Sequence, residues 1–524
     1  MQGSSLLSKL TVSGAAGPDS GIVDPNGTFT HRDQIVSRAQ SIARGLRQEG
    51  LAAGDRVLFS VRPTATAIAA MLGVVEAGGT LVVVDLGVGE ELFARRMDML
   101  RPKWIIAESL LLAASKSKLV RRLLRRRGQS VLPLEQIRGA TIVRSGFALP
   151  SFIAPLSLDG LETIGTKASV GDIADDTLDS SSEQNPEAPV LVVFTSGTTA
   201  APKAVVHSRR SMAATLDIIS RQIGMGSGDR MYAGEIHLIL PALMAGARVV
   251  IPPFGKYSAS RTLADLAQNR ITHFFGVTSE CQELLAHALS ANSLLPSSLR
   301  HAFIGAAPVH AAFLEGFRKI LPQGALAWSL YGMTEMLPVA AITIDEKLAY
   351  CGEGDIVGAP LDGVHARISP DGELVLNGDN LFTGYFGGPP VDDHPTGDLA
   401  TMDNGRIVLL GRKKDMIIRG RHNIYPELYE PLIEGISGVR RCAMVGLYDS
   451  VRHDEQIVLA LEVESGASPT EVEKRVRREL RIGPKQIDDE AQPDAILIME
   501  LPESGRSRKI DRVAIRALAR ERLR

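Results

Sequence analysis

Near the N-terminus, stretches with hydrophobic residues at helical spacing alternate with short stretches that are mostly apolar. Gln34–Glu49 has apolar residues at helical spacing and ends at Gly50, and Ala65–Ala77 repeats this pattern before a pair of glycines. Arg56–Val61 and Thr80–Val84 are short, mostly apolar runs of the kind that forms buried strands. Strands that alternate with helices favour a parallel sheet with helices on its faces. The pattern therefore predicts an α/β fold.

The alternation continues through the middle of the chain and changes character near residue 412. Before that point the predicted elements are the strands Pro189–Phe194, Arg248–Ile251, His273–Val277 and Ala302–Ile304, and the helix Ser211–Met225. Beyond it we predict strands Cys442–Leu447, Ile457–Val463 and Ala495–Glu500, and a basic helix from Arg512. Another helix begins after Ser468, because Pro469 and Glu471 complete a capping pattern. This second region predicts a small α+β domain.

Length and composition limit the function. A chain of 524 residues is too long for one compact core, so at least two domains are expected. The formal net charge of −2 gives no electrostatic case for nucleic-acid binding. Three widely spaced cysteines form no metal-ligand pattern and suit a reducing compartment: Cys281, Cys351 and Cys442.

Several stretches bear on location. We expect no secretory signal before Ser20 and no integral membrane segment, since the apolar runs are too short to span a bilayer, and we place the chain in the cytoplasm. The basic run Lys116–Arg127 predicts the solvated face of a helix, with a membrane-surface helix as the alternative. The acidic, serine-rich stretch Leu161–Glu187 predicts a mobile loop.

The candidate chemistry begins directly after the apolar run Pro189–Phe194. The segment from Thr195 to Lys203 contains small residues, four hydroxyl side chains and a final lysine. Small residues let backbone N–H groups approach anionic oxygens, and hydroxyls and Lys203 add donors and positive charge. We interpret it as a phosphate-binding loop, although the Gly-Lys-Ser/Thr ending of a P-loop is absent. A serine- and threonine-rich surface turn is the alternative, which explains neither the Pro-Lys ending nor the preceding strand.

This loop resembles the Thr-Ser-Gly-Thr-Thr-Gly-x-Pro-Lys-Gly signature of the adenylate-forming superfamily, with Ala200 and Ala204 at two glycine positions. Six further stretches resemble later motifs of the superfamily in the same order: Gly305–Pro308, Ser329–Glu335, Gly397–Ala400, Gly411–Ile417, Asn423–Pro426 and Leu501–Arg512. Other departures from the motifs are Arg508 for a glycine, Leu428 for a glutamate and Arg209 for a histidine. The resemblance extends over nearly the whole chain.

The resemblance implies a role for each matching residue. For the ATP phosphates it implies Thr195, Ser196, Gly197, Thr198, Thr199 and Lys203; for the adenine, Gly305, Ala306, Ala307, Pro308, Tyr331 and Gly332; for the ribose, Asp398 with Arg412. It implies that Thr334 contacts the α-phosphate, that Glu335 holds Mg²⁺ and that Lys509 is the catalytic lysine. His237, Phe275 and Met333 would line the acyl pocket, although a purely structural role for His237 is equally open.

The resemblance also implies domain boundaries. A large N-terminal adenylation domain of stacked α/β layers, mostly parallel sheets with helices, would span 1–411. A hinge at 412–414 would centre on Lys414, and a small mobile C-terminal α+β domain would span 415–524 as a lid.

The implied activity is that of an acid–thiol ligase of the AMP-forming acyl-CoA synthetase type, with ATP, Mg²⁺ and CoA as cofactors. A carboxylic acid would attack MgATP to give an acyl-adenylate and pyrophosphate, and CoA would then displace AMP. Apolar residues around Phe275 favour a fatty or aryl acid, and hence a role in fatty acid metabolism. A homodimer stays open.

Three alternatives stay open. The enzyme could serve a carrier protein instead of CoA. It could be a β-lactone synthetase acting on a β-hydroxy acid, because the stretch Thr334–Ala340 is similar to that of those enzymes. It could also be a catalytically silent nucleotide-binding homologue, since Ala200, Ala204 and Arg508 replace glycines of the motifs.

Overall fold

The computed structural model describes fifteen stretches or single positions of the chain, and structural statements below refer to these. They are residues 6–12, 17–84, 90–116, 134, 137, 139–147, 156–171, 185–194, 203–306, 309, 311–419, 422–449, 454–482, 485–504 and 509–523. The loop residues Thr195–Thr199, Ala307 and Pro308, and all but the first residue of the basic run Lys116–Arg127, lie outside the described residues.

The helices largely follow the hydrophobic periodicity. They span Leu6–Val12, Arg32–Gln48, Ala65–Glu76, Glu90–Leu100, Ser109–Lys116, Leu158–Gly171, Arg209–Ile223, Ile236–Met244, Ala259–Gln268, Thr278–Ser290, Ala311–Ile320, Ile344–Leu348, Pro426–Glu434, Pro469–Ile482 and Arg512–Arg522, with a 3₁₀ turn at Asp489–Ala491. Side-chain caps fix several starting points: His31 accepts from the N–H of Asp33, and Ser208 accepts from that of Ser211.

Twenty-eight strands fall within the described residues. In chain order they are β1 (Gly21–Val23), β2 (Phe29–His31), β3 (Arg56–Ser60), β4 (Thr80–Val83), β5 (Trp104–Glu108), β6 (Thr141–Ser145), β7 (Leu156–Ser157), β8 (Pro189–Phe194), β9 (Ala204–Ser208), β10 (Arg230–Tyr232), β11 (Arg248–Val250), β12 (His273–Val277), β13 (His301–Gly305), β14 (Leu326–Met333), β15 (Met336–Thr343), β16 (Asp355–Gly358), β17 (Val364–Ile368), β18 (Glu373–Gly378), β19 (Gly384–Tyr385), β20 (His394–Asp403), β21 (Arg406–Arg412), β22 (Ile417–Arg419), β23 (His422–Ile424), β24 (Val439–Asp449), β25 (Asp454–Val463), β26 (Ala495–Ile498), β27 (Glu503–Ser504) and β28 (Lys509–Ile510).

Two sheets of eight strands each dominate the N-terminal part. Their strand orders are β15-β14-β13-β12-β10-β11-β1-β2 and β19-β9-β8-β4-β3-β5-β6-β7. Inner strands run parallel, whereas β2, β15, β9 and β19 pair antiparallel near the edges. The main hydrophobic core joins Val57 of one sheet, Val249 of the other and Ile42 of the helix between them. Helices packed between and over parallel-rich sheets confirm the predicted α/β fold class.

A third sheet was not predicted. Strands β16 to β18, β20 and β21 form a five-stranded antiparallel sheet in the order β16-β21-β20-β18-β17. It leads into a small α+β region in which β24 and β25 pair antiparallel, β26 adds in parallel, and helices cover the sheet. The boundary at residues 412–414 stays a prediction.

The expectation of a loop across Leu161–Glu187 is wrong in its first part. Leu158–Gly171 is a helix that packs against Arg32–Gln48. Glycines allow the two backbones to approach, since a Cβ atom on Gly165 would overlap the carbonyl oxygen of Ser41 and one on Gly45 would overlap that of Leu161. The polar composition of the stretch concealed a helix that buries Leu158 and Leu161 in the main core and approaches its neighbour closely at glycines.

Candidate active site

The candidate site lies where parallel strands of one sheet end. Strands β12 and β13 run in register, so that Val277 pairs with Gly305 at their carboxyl ends. Such ends are where open α/β sheets bind ligands. Ala306 follows with a φ of 69°, a left-handed conformation that turns the chain away from the sheet. This turn carries the segment predicted to face adenine.

Phe275, one of the three predicted pocket residues, lies near this turn. A Cβ atom on Gly305 would be 3.9 Å from the ring of Phe275 and 3.3 Å from Leu330. Met333 ends β14 and pairs with Met336 across the hairpin. His237 lies in the first turn of the helix Ile236–Met244, where burial lowers its pKa to about 4. The described contacts do not join His237 to Phe275 or Met333.

Thr334 and Glu335 form the two-residue turn between β14 and β15. The Nε2 atom of His207 lies 2.8 Å from the carbonyl oxygen of Thr334. The carbonyl oxygen of Glu335 accepts from the N–H of Phe382, at 2.8 Å. Two neighbouring segments therefore hold the backbone of the turn from outside the hairpin.

The carboxylate of Glu335 faces Tyr385 of β19. The Tyr385 hydroxyl donates to Oε1 of Glu335, with 2.9 Å between the oxygens. On the same ring, the Nζ atom of Lys203 lies 5.2 Å from the centroid, within cation–π range. One aromatic side chain thus contacts the lysine that ends the predicted phosphate loop and the carboxylate predicted to bind metal.

Asp398 lies within β20 and is buried, and each of its carboxylate oxygens has a partner. The Tyr331 hydroxyl donates to Oδ2 at 2.6 Å, and Nε of Arg412 lies 2.5 Å from Oδ1. Burial raises the pKa of Asp398, and the Arg412 charge opposes that rise. Gly397, immediately before Asp398 in β20, has a φ of 75°, a left-handed conformation that glycine adopts without strain. Three predicted site residues therefore meet here.

Lys509 comes to this cluster from the C-terminal region. It lies on the hairpin of β27 and β28, where Ser504 pairs with Lys509. Its side chain is accessible to solvent, but protein surrounds it, and burial together with the positive charges of Arg412 and Lys414 lowers its pKa. The negative charge of Asp398 acts in the opposite direction. Lys509 therefore lies within electrostatic range of Asp398 and Arg412, although about 100 residues separate it from them in the sequence.

Glu335 is the carboxylate predicted to contact a Mg²⁺ ion, and it lies on the same tyrosine as Lys203. Among the described residues no group of three or more histidine, cysteine, aspartate or glutamate side chains could hold a metal. Magnesium usually keeps several waters and binds through one or two carboxylates plus substrate phosphates. Glu335, next to the lysine that follows the phosphate loop, fits such a shared site.

Sequence reasoning missed four residues of this region. They are His207 on β9, Tyr385 on β19, His394 on β20 and Glu427 in the helix Pro426–Glu434. Burial lowers the pKa of His394, on which the charges of Glu335 and Lys203 also act. Burial raises the pKa of Glu427 to about 7. None belongs to a motif identified above; three lie on strands and Glu427 lies on a helix, and contacts between distant segments bring them to this region.

Comparisons with known proteins identify the family and the fold of the chain. The sequence profile described as "AMP-binding enzyme" matches residues 13–386, more than half of the chain. A feruloyl-CoA synthase from an Amycolatopsis species is 29% identical over 52% of this chain and 60% of its own length. The match thus spans less than two thirds of that relative. None of the described helices has the length and hydrophobicity to cross a bilayer.

Two other proteins align over most of the chain. An olefin β-lactone synthetase from Stenotrophomonas maltophilia (strain K279a) is 27% identical over 83% of this chain and 81% of its own. The structure of ATP-bound MatB from Rhodopseudomonas palustris aligns with a TM-score of 0.77 and 21% identity over 100% of both chains, which supports the fold alone. By the match to its profile, the chain belongs to the AMP-binding enzyme family, within the adenylate-forming superfamily.

Proposed function

We propose that this protein uses ATP to activate a carboxylic acid as an acyl-adenylate, and then transfers the acyl group to CoA. The observation that carries the proposal is that Lys509 lies within electrostatic range of Asp398 and Arg412. This arrangement brings a cation from the C-terminal region to the carboxylate proposed to bind ribose. Tyr331, which donates to the same carboxylate, would present its ring to the adenine.

The first half-reaction joins two anions, so fixed positive charge must offset their repulsion. Lys509 would stabilise charge at the α-phosphate, and Lys203 with the preceding loop would hold the outgoing pyrophosphate. Thr334 would contact the α-phosphate, and Glu335 would hold Mg²⁺, which when bound neutralises phosphate charge. Holding both reactants in line makes the attack effectively unimolecular.

The second half-reaction needs a thiol in place of the lysine. Rotation of the C-terminal region about Lys414 would withdraw Lys509 and open a path for CoA, as in other hinge motions. The arrangement with Lys509 beside Asp398 suits the first step. We therefore assign Lys414 the hinge role.

The acid is proposed to be fatty or aryl. The wall near Gly305 includes Phe275 and Leu330, both apolar, and burial keeps His237 neutral near pH 7. An apolar wall of this kind favours a hydrophobic acid over a charged one. The feruloyl-CoA synthase among the relatives acts, by its name, in the synthesis of an aryl thioester.

A second candidate is β-lactone formation from a β-hydroxy acid. It is favoured by the olefin β-lactone synthetase, whose similarity extends over more of the chain than that of the feruloyl-CoA synthase. In that reaction the acyl-adenylate is attacked by the substrate's own hydroxyl group. No thiol acceptor is then required.

A panel of carboxylic acids with MgATP tests the proposal. Pyrophosphate release is measured with hydroxylamine to trap adenylates, and with CoA present or omitted. We expect release with hydrophobic acids and thioester only with CoA. A β-lactone formed without CoA would support the second candidate, and AMP release that requires a holo-carrier protein would indicate a carrier-protein ligase. ATP binding without pyrophosphate release from any acid would contradict the enzyme assignment.

A further inference from the structure

Strand β9 connects the end of the phosphate loop with the turn that carries Thr334 and Glu335. It begins directly after Lys203 and pairs with β8 on one side and β19 on the other. The carbonyl oxygen of Val206 accepts from the N–H of Thr383 at 2.8 Å. A short, fully paired strand of this kind is a rigid spacer between the two parts of the site.

His207 provides the contact from β9 to the turn. A carbonyl oxygen can only accept, so Nε2 of His207 must carry the hydrogen that it donates to Thr334, across 2.8 Å. The Nδ1 atom is then an acceptor and lies 3.4 Å from the Ser211 hydroxyl. Burial, the largest cause, lowers the pKa of His207, although the Thr334 contact and the Glu335 charge oppose this. The neutral imidazole therefore has one tautomer and one orientation.

Tyr385 provides a second contact, to the carboxylate of the turn. Its hydroxyl engages Oε1 of Glu335, and among the described residues no donor bonds to Oε2. Its ring lies against Lys203. Through Tyr385 the orientation of the carboxylate is tied to the position of the lysine.

We propose that His207 and Tyr385 are positioning residues, which hold the backbone and the carboxylate of the Thr334–Glu335 turn in register with Lys203. This inference rests on the proposed function, because it assigns the turn and the lysine to different phosphates of one ATP. A displacement of even 1 Å between such groups costs catalytic rate without loss of the fold.

The test for His207 compares two substitutions. His207→Phe keeps an aromatic ring and removes the donor, whereas the amide nitrogen of His207→Gln reaches a place similar to Nε2. We expect the Phe variant to lose about 10- to 100-fold in kcat/KM for MgATP, as for a buried hydrogen bond left unmade. The Gln variant should recover most of that loss. His365→Phe, at an exposed position on β17, is the matched control.

The test for Tyr385 uses ATP binding measured by calorimetry with and without Mg²⁺, which requires no turnover. Tyr385→Phe should weaken binding about tenfold with Mg²⁺ and much less without it, because only the orientation of Glu335 changes. Tyr448→Phe is the control, since Tyr448 is 62% exposed. Circular dichroism and thermal unfolding of every variant identify losses due to misfolding.

The outcomes separate the two proposals. If the wild-type protein binds no ATP and releases no pyrophosphate, the proposed function fails and the positioning roles fail with it. If the wild type is active and folded His207→Phe matches it in kcat and KM, only the role of His207 is wrong. If Tyr385→Phe weakens binding equally with and without Mg²⁺, Tyr385 serves packing rather than the carboxylate. A Gln variant as impaired as the Phe variant would likewise exclude the hydrogen bond as the cause.

Discussion

Lys509 is the residue on which the proposed first half-reaction depends. Lys509→Ala removes a cation on which the charge of Asp398 acts, so the negative charge proposed to develop at the α-phosphate would lose the stabilisation assigned to that cation. We expect adenylate formation to fall by about 10²- to 10³-fold, the usual cost of removing one charge-stabilising group. Thioester formation from a supplied acyl-adenylate should change little. Quenched-flow assays of the separate half-reactions measure both.

Lys474→Ala is the control for this prediction, because Lys474 lies on the exposed face of a helix in the same region. It should leave both steps unchanged. Equal losses in the two half-reactions of Lys509→Ala would remove the role assigned to the lysine.

Single residues were predictable where a motif fixed them. Motifs in the sequence single out Tyr331, Asp398 and Lys509; the structure joins the first two by a hydrogen bond and places Lys509 within electrostatic range of Asp398, while their roles stay predictions. His207 and Tyr385 could not be predicted, because their contacts join β9 and β19 to the turn between β14 and β15, which is distant from both in the sequence. Pairing between distant segments leaves no local pattern of residues in either one.

Gly165 shows how two elements depend on one small residue. Gly165→Ala would place a methyl group on the carbonyl oxygen of Ser41, so the helices Arg32–Gln48 and Leu158–Gly171 would have to separate. Overpacking of this kind costs about 1–3 kcal/mol. We expect a lower midpoint of urea unfolding.

Gly226→Ala is the matched control, since a Cβ atom there meets nothing within 4 Å and the backbone needs no positive φ. If Gly165→Ala unfolded at the same urea concentration as Gly226→Ala, the two helices could separate without loss of stability, contrary to this prediction.

Element boundaries were predicted to within a few residues where periodicity was strong. The helix expected at Gln34–Glu49 spans Arg32–Gln48, because the His31 side chain caps it and Gln34 completes the capping box. Histidine is not a usual cap, so the start was placed too late. The antiparallel sheet of β16 to β18, β20 and β21 was not predicted. Neither the length nor the composition of its strands distinguishes them in the sequence from the adjoining turns.

Glu427 makes the stability of the protein depend on pH, and charged groups from both the N-terminal and the C-terminal parts influence its pKa. It lies in the C-terminal region, and the charges of Arg512, Glu430, Asp398 and Arg412 act on it. Its pKa is raised from 4.5 to about 7 by burial, so the native state binds the proton more tightly than the unfolded chain. Stability from this group is therefore complete below pH 4.5 and is lost as the pH rises through 7.

Glu427→Gln should remove this loss. We expect the variant and the wild type to unfold at similar denaturant concentrations near pH 5, and the variant to be more stable at pH 8, by on the order of 1–3 kcal/mol. Unfolding curves across this range measure the difference. If the stability difference between variant and wild type were the same at every pH, Glu427 would have the same pKa in the folded and unfolded states.

The largest rearrangement we propose is rotation of the C-terminal region about Lys414. The hydrogen bonds of this turn use the N–H groups of Lys413, Asp415 and Met416. Lys414→Pro fixes φ near −65° and restricts the change of backbone angle that a hinge needs. The position of Lys509 beside Asp398 is already compatible with the first half-reaction. We therefore expect the first half-reaction to keep most of its rate and the second to fall at least about tenfold, because domain motion limits it.

Lys414→Ala separates loss of the side chain from loss of rotation and should leave both steps near the wild-type rate. The two half-reactions are followed by single-turnover release of pyrophosphate and of AMP. A normal second step in the Pro variant would exclude Lys414 as the hinge. If Lys414→Pro loses the first half-reaction and Lys414→Ala does not, the turn must be intact for adenylation. Both half-reactions would then depend on the conformation of the predicted hinge, residues 412–414.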